Sequence, residues 1–259
     1  MKPEEQNASA DSATASSIIH HPSSFTLAVV LARGGSKGLP RKNVLPVAGR
    51  PMVAWTLEHA LRSARVSAVV LSTDDAEAAT VARGLGVEVI DRPAELAHDT
   101  ATVDSAARHA VQRYEATHGV AVGAAVILYG NVPVRPADLS DRAVAMLAGS
   151  GADSVQSVAP VGKMHPYWMK RLEPAEGGDR LVMYEDNAVY RRQDLPPVYM
   201  LDGGVIAVTR ASLFTVAEGQ PHAFLGADRR AVVTGPGEVV DVDDATDRRV
   251  AEAILAGRG

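Results

Sequence analysis

From Thr26 onward, apolar runs of strand length alternate with stretches whose apolar residues recur at helical spacing, and this rhythm constrains the fold more than any other feature. "TLAVVLA" (26–32) predicts a buried strand and "PMVAWTLEHALRSA" (51–64) a helix opened by proline. "VSAVVLST" (66–73) predicts a strand, "DAEAATVARGLG" (75–86) a helix closed by glycine, and "VEVI" (87–90) a short strand. A helix over 100–119, a strand "AAVILYG" (124–130), a helix around 137–149 and a strand "ADSVQSVA" (152–159) follow. After an interruption come a strand "GGVIAV" (203–208), a short helix, and a closing strand, acidic turn and helix within 238–257. Such alternation predicts an α/β fold whose mostly parallel sheet carries helices on both faces. Ligands of such sheets bind beyond the carboxyl ends of the strands.

The chain's 259 residues suffice for one large core or two modest ones, and 46% hydrophobic with 22% charged residues is ordinary for a globular protein. Apolar stretches of six to eight residues are too short to span a membrane. The absence of cysteine excludes disulfides, thiolate nucleophiles and Cys-ligated zinc, and fits a reducing, cytoplasmic setting. A net charge of −5 argues against nucleic acid as a partner. Residues 1–24, rich in Ser and Ala with no apolar segment after Lys2, predict a disordered tail rather than a secretory signal. The rhythm breaks from Pro160 to about Pro197, where Trp168 and several of the few aromatics stand among basic residues. This segment predicts an inserted arm that packs on a second subunit.

"LARGGSKGLPRKN", Leu31 to Asn43, follows the first strand, where a ligand is expected. Gly34, Gly35 and Gly38 permit close backbone approach to an anion, Ser36 offers a hydroxyl, and Arg33, Lys37, Arg41 and Lys42 offer charge. The spacing is neither that of a P-loop nor that of a dinucleotide fingerprint, and composition alone also suits a solvated basic turn. One detail favours phosphate. Only five of the 26 cations are lysines, yet Lys37 and Lys42 both stand here, and a compact ammonium suits a phosphate undergoing transfer.

"DVDD", Asp241 to Asp244, ends the last apolar run. In an extended chain Asp241 and Asp243 share a face and can reach one hard cation such as Mg²⁺ or Mn²⁺. Capping of the following helix accounts for Asp244 alone. A basic glycine loop and a strand-end pair of aspartates on one sheet predict metal-dependent chemistry on a nucleoside triphosphate.

"LARGGSKGLPRKNVLPVAGRPMVAWTLEHA" also resembles the signature of the acylneuraminate cytidylyltransferases, the CMP-sialic acid synthetases and their nonulosonate relatives. "VVLSTDDAEAATVARGLGVEVIDRPAELAHDTAT", "HPYW", "RRQDLPPVYMLDGGVIAV" and "VVDVDDATDRRVAEAIL" match in order, from about Leu27 to Leu255. The resemblance implies a Rossmann-like sheet of the nucleotide-diphospho-sugar transferase type, with a dimerisation arm at about 160–200. It implies a nucleotidyltransferase that joins CTP to a 2-keto-3-deoxy sugar acid, giving a CMP-sugar and pyrophosphate. Carried onto matching positions, it makes Arg33, Ser36, Lys37, Lys42 and Asn43 triphosphate contacts, with the Gly34 and Gly35 amides cradling pyrophosphate. Arg92 and Thr100 fall where cytosine and ribose are recognised, and Asp241 and Asp243 where the divalent ion is held. Arg33, Lys37, Asp241 and Asp243 are the implied catalytic set. Arg192 is implied as the residue lent to a partner's sugar site in a homodimer, and Gln193, Asp202 and Gly203 as lining that site.

The acceptor side departs from the pattern. "LYGNVPVRP" (128–136) replaces an "LQPTSPLR"-like stretch, so Tyr129 and Asn131 stand where sugar contacts are expected, and "DGG" at Asp202 replaces "NGA". "YGNVP" leans toward the "QGDEP" of Kdo cytidylyltransferases. That leaves a Kdo-like enzyme, a D-x-D glycosyltransferase and a non-catalytic nucleotide-binding dimer as alternatives. His59 and His109 sit in helical patterns and read as structural, Asp74 and Asp75 as candidates to cap the next helix, and His165 as either structural or functional.

Overall fold

The structure, a computed structural model, describes residues 25–35 and 38–257. Ser36, Lys37 and the tail of residues 1–24 lie outside the described residues. Strand β1 (Thr26–Leu31) is buried along its whole length. It is followed by a two-stranded ribbon, β2 (Pro46–Val47) and β3 (Arg50–Pro51), then helix α1 (Met52–Arg62). Next come β4 (Ala68–Thr73), α2 (Ala76–Gly84), β5 (Glu88–Asp91), α3 (Val103–His118), β6 (Ala124–Tyr129), α4 (Leu139–Ser150) and β7 (Ser154–Pro160). A hairpin, β8 (Lys170–Glu173) and β9 (Arg180–Met183), stands apart from the main sheet. The chain then returns through β10 (Tyr199–Thr209), α5 (Arg210–Leu213), β11 (Arg229–Val233) and α6 (Ala245–Ala256).

The main sheet has seven strands in the order β11-β7-β10-β6-β1-β4-β5, and only β10 runs antiparallel to its neighbours. Alternation within β1 explains its two-sided burial. Ala28 and Val30 pack with α1, α2 and α4 residues such as Val53, Leu57, Ala78 and Leu147. Leu27, Val29 and Leu31 pack on the other face with Ala106, Ala110 and Tyr114 of α3. Because β4 lies on one side of β1 and β6 on the other, the strand order reverses there, and this switch point opens a crevice at the carboxyl ends.

Helix caps agree with local chemistry. Asp75 accepts hydrogen bonds from the Glu77 and Ala78 amides, so it caps α2. Asp244 and Asp247 form a reciprocal capping box at α6.

Two expectations need correction. β10 begins at Tyr199 rather than Gly203, and its pairing with β7 shifts register between Leu201 and Ile206, where the paired glycines interrupt a regular ladder. The segment leading directly into the acidic turn is not a strand; the strand before it is β11, which ends at Val233. Val240 makes a single bridge to Val134, because the segment lies across a loop instead of joining a sheet. The alternation survives nonetheless: Val240 and Val242 enter a small core with Met52, Ala251 and Leu255, so Asp241 and Asp243 point away from it.

Candidate active site

Four strand ends build the site. Arg33 and Asn43 follow β1, Asp74 follows β4, Arg92 follows β5 and Asn131 follows β6. In register, Leu31 pairs with both Ser72 and Tyr129, and Thr73 pairs with Asp91, so these side chains leave the sheet at one level. They border a cavity of about 420 Å³ lined by Arg33, Lys42, Arg92, His98, Asn131 and Asp243, among others.

The basic loop and the acidic turn meet here. Lys42 Nζ donates to Asp243 Oδ1 at 2.7 Å across 201 residues of sequence. A Cβ on Gly38 would lie 2.9 Å from the Asp243 carbonyl oxygen, so the two backbones touch at a position that admits only glycine. Asn43 is buried and donates from Nδ2 to the Arg33 carbonyl at 2.8 Å, which ties the two ends of the loop together. Gly130 is equally constrained, since a Cβ there would come within 2.9 Å of both Ala32 Cβ and Asn43 Oδ1.

The site's cations already have protein partners. Arg33 donates to Asp99 at 2.6 Å, bridging the cavity edge to the loop before α3. Arg92 is buried and donates from Nε to Ser72 Oγ at 3.1 Å and from Nη2 to the Ser72 carbonyl at 2.7 Å. Burial lowers its pKa to about 10, opposed by Asp74 and assisted by Arg33, so it remains charged at neutral pH.

Asp241 is half-buried, and its Oδ1 accepts a short hydrogen bond from Asn131 Nδ2. Its pKa is pushed up to about 6, first by burial and then by the neighbouring Asp243 charge, with Lys42 and Arg135 opposing. Such a pair suits a hard divalent cation, whose charge relieves both effects. Among the described residues no cluster of three or more His, Asp or Glu forms a complete metal cage. Two carboxylates with water and substrate phosphate completing the shell is how Mg²⁺ is ordinarily bound, so the donor set fits that ion.

A second cavity of about 430 Å³ shares Ala101, Thr102, Val103 and Tyr129 with the first; Leu201, Ile206, Phe224 and Leu225 form an apolar wall, and Asp104, Gln156, His222 and Arg229 also line it. Gly203, at φ +74°, brings β10 against the junction: a Cβ on it would sit 3.3 Å from Asp241 Oδ2 and 3.7 Å from the Tyr129 ring. Tyr129, Asn131, Gly203, Asp241, Lys42 and Asp243 therefore form one contiguous group.

Other candidate residues are placed elsewhere or engaged locally. The Gly34 amide donates to Asp74 Oδ1 at 2.9 Å, and Gly35 has open space where a side chain would be. Thr100 is exposed and bonds His98 Nδ1, while His98 and Thr102 line the cavity. Asp202 accepts hydrogen bonds from Ser157, from the Gly204 amide and from Thr234, so its carboxylate secures the β10 irregularity. Arg192 and Gln193 are exposed in the arm and line neither cavity. His165 is buried, accepts from the Tyr167 amide and faces the Pro196 carbonyl, which makes it a brace of the arm's base. His59 is buried against Ser140, and burial lowers its pKa to about 3. Sequence reasoning missed Arg135, Thr56, Asp99 and Thr102. An arginine within the apolar "VPVRP" was the one available signal.

Crevice, cations and paired carboxylates together define a nucleotide-binding α/β protein equipped for phosphate chemistry. A family model for cytidylyltransferases matches residues 27–200, and the chain belongs to that family. It is 27% identical over 231 residues to a CMP-N,N'-diacetyllegionaminic acid synthase of Legionella pneumophila, covering 88% of this chain and 95% of that protein. It is 30% identical over 181 residues to an N-acylneuraminate cytidylyltransferase of Streptococcus agalactiae, covering 69% of this chain but only 42% of the relative. Among solved structures, a CMP:2-keto-3-deoxy-manno-octonic acid synthetase complexed with CTP superimposes with a TM-score of 0.64 at 19% identity. That match covers 91% of this chain and all of the other, and it shows the shared fold.

Proposed function

We propose that this cytidylyltransferase activates a 2-keto-3-deoxy sugar acid with CTP, releasing pyrophosphate and a CMP-sugar. The observation that carries this reading is the meeting of Lys42 of the basic loop with Asp243 of the acidic turn on the wall of the more polar of the two cavities. CTP occupies the polar cavity, with its triphosphate against Arg33 and Lys42 and, from the sequence, Ser36, Lys37 and the Gly34–Gly35 turn. Arg92, which lines the same cavity, is the proposed nucleoside contact. The triphosphate displaces Asp99 and Asp243 as the anionic partners of Arg33 and Lys42, so binding exchanges one set of ion pairs for another.

The sugar acid lies beyond Tyr129, with its anomeric hydroxyl directed at the α-phosphorus. That oxygen forms the new P–O bond in line as the bond to the β-phosphate oxygen breaks, and Arg33 and Lys42 stabilise the charge gathering on the leaving pyrophosphate. Asp241 and Asp243 would hold Mg²⁺ or Mn²⁺, which supplies charge neutralisation at the phosphates. The apolar wall of the second cavity favours an acylated nonulosonic acid over a sugar acid bearing only hydroxyls.

The arm from about 160 to 200 is read as a dimerisation element. Leu172 and Leu181 are cross-strand partners in the hairpin and are 63% and 65% exposed, and Tyr190 is 91% exposed. Packing against a second copy covers these side chains and carries Arg192 to the neighbouring sugar site. No helix among the described residues is long and apolar enough to cross a membrane, and the cysteine-free sequence suits work in the cytoplasm.

The test is pyrophosphate release with CTP, Mg²⁺ and a panel of nonulosonic acids alongside Kdo. Release with an acylated nonulosonic acid is expected. Release with Kdo alone replaces the acceptor assignment, and no release with any acid defeats the enzymatic reading.

A further inference from the structure

Arg135 is 5% exposed and lines neither cavity described above; it borders a separate cavity of about 250 Å³ with Trp55, His59 and Pro133. Its guanidinium donates from Nε to the Gly204 carbonyl at 2.7 Å, from Nη2 to the Tyr129 carbonyl at 3.0 Å, and from Nη1 to Thr56 Oγ1 at 2.9 Å and to the Val132 carbonyl. Thr56, buried on α1, donates to the same two loop carbonyls, at 3.1 Å to Tyr129 and 3.0 Å to Val132. These carbonyls flank Asn131, whose amide reaches Asp241 Oδ1 and the Val242 carbonyl. The third carbonyl belongs to Gly204, next to the glycine that backs onto Asp241 Oδ2.

One guanidinium thus joins the loop after β6 to the turn of β10 at the point where both close on Asp241. Filling this volume would not require a charge. A buried aliphatic side chain generally costs less than a buried cation, so packing alone does not explain arginine here. Lysine could not reproduce the arrangement, because a point charge cannot address carbonyls on two separate segments in the plane of a fork. Asp241 and Asp202 stand close enough to oppose the effect of burial on this group, and its pKa is lowered only to about 9.

We propose that Arg135 is the positioning residue of the acceptor half of the site: it holds Tyr129 and Asn131 in register with Gly203 and Asp241. The kinetic part of this inference rests on the proposed cytidylyl transfer; the structural part does not.

Arg135→Met, Arg135→Lys and Thr56→Val, each checked for cooperative melting, separate the two. Hydrogen exchange of the full-length protein should speed up in peptides spanning 129–132 and 203–206 in Arg135→Met, and remain unchanged at 27–31. CTP affinity by calorimetry should stay within about threefold, because the carbonyls that Arg135 holds belong to Tyr129, Val132 and Gly204, outside the nucleotide loop. Turnover with the sugar acid should fall about 100-fold with a raised KM for the acid and an unchanged KM for CTP, the scale expected from a misplaced reacting group. Arg135→Lys should recover only a small part of that loss. Thr56→Val, which removes no charge, should show the same exchange pattern more weakly and serves if both Arg135 variants fail to fold. Unchanged exchange in both segments, or an equal loss of CTP and acid binding, overturns the assignment. A wild type that exchanges as expected but releases no pyrophosphate instead defeats the functional reading and leaves the positioning result intact.

Discussion

The crevice after β1 and the arm after β7 are made of similar residue types and have opposite surfaces. Around the crevice, arginine, lysine and aspartate side chains pair with one another, and glycines let backbones touch. In the arm, Leu172, Leu181, Tyr184 and Tyr190 face solvent, while Arg191 pairs with Asp194 three residues on. Among the described residues the crevice's charged groups find partners within one chain; the arm presents what a folded monomer ordinarily hides. On the proposed dimer, nucleotide binding should need a single chain, whereas acceptor binding should need a second copy.

The harshest way to break the crevice is at Asp243, which pairs with Lys42 and is a proposed metal ligand. Asp243→Asn should lower turnover by about 10³-fold, a loss typical of a charge-stabilising group, while the melt changes little because the side chain is exposed. Near-normal turnover would remove Asp243 from the metal site. The contrast itself is tested next, in the arm. Leu172→Asp combined with Leu181→Asp should give a monomer in sedimentation that still binds CTP, with turnover reduced about 30-fold through loss of the partner's sugar contacts. A variant that remains dimeric, or that loses CTP binding as well, would end the division of labour.

Gly130 offers a smaller and more local perturbation. A Cβ there meets Ala32 and Asn43 at 2.9 Å, and Asn43 in turn holds the Arg33 carbonyl. Gly130→Ala should displace the basic loop and weaken CTP about tenfold, with a stability loss of about 1–3 kcal/mol from overpacking. Stability loss with unchanged CTP affinity would show that the loop does not depend on Asn43 for its position.

How far these features could be read from sequence depended on whether they are periodic or tertiary. Alternating apolar runs in β1, β4 and β6 and helical spacing in α1 and α3 are local, so the order of elements and the parallel sheet were legible. "DVDD" was read through strand alternation, and the inward Val240 and Val242 preserve that alternation although no strand forms. The partners of individual polar groups were not legible. Asp202 could be assigned to a sugar as easily as to Ser157 and Thr234, and the Gly34 amide to an anion as easily as to Asp74, because those partners lie 32 to 45 residues away. Arg135 was passed over for the same reason. Its four acceptors come from α1, the loop after β6 and β10, and nothing local announces that they converge.

The smallest expected effect is thermodynamic, and it probes the seam between the two halves. With Asp241 pushed up to about 6 in the folded protein and near 3.8 when unfolded, the native state holds a proton that the unfolded state has lost between those values. Stability without metal must then fall as pH rises from about 4 to about 6, and above that the full cost of ionising a half-buried carboxylate beside Asp243 is carried. His59 acts in the opposite sense: its folded pKa of about 3 lies below the ordinary 6.5, so its contribution is present above about pH 6.5 and is lost as pH falls toward 3. Asp241→Asn leaves His59 untouched, so the difference between the two proteins isolates the carboxylate. The variant, in chelator, should match the wild type near pH 4 and melt about 2–3 °C higher at pH 7.5, a modest gain because solvent screens part of the effect. Adding millimolar Mg²⁺ with CTP should reverse the order, since only the wild type gains from the bound ion. A variant that melts lower than wild type at pH 7.5 in chelator would mean that Asp241 is held chiefly by Asn131 and Lys42 rather than strained by burial, and the seam would then be a structural clasp.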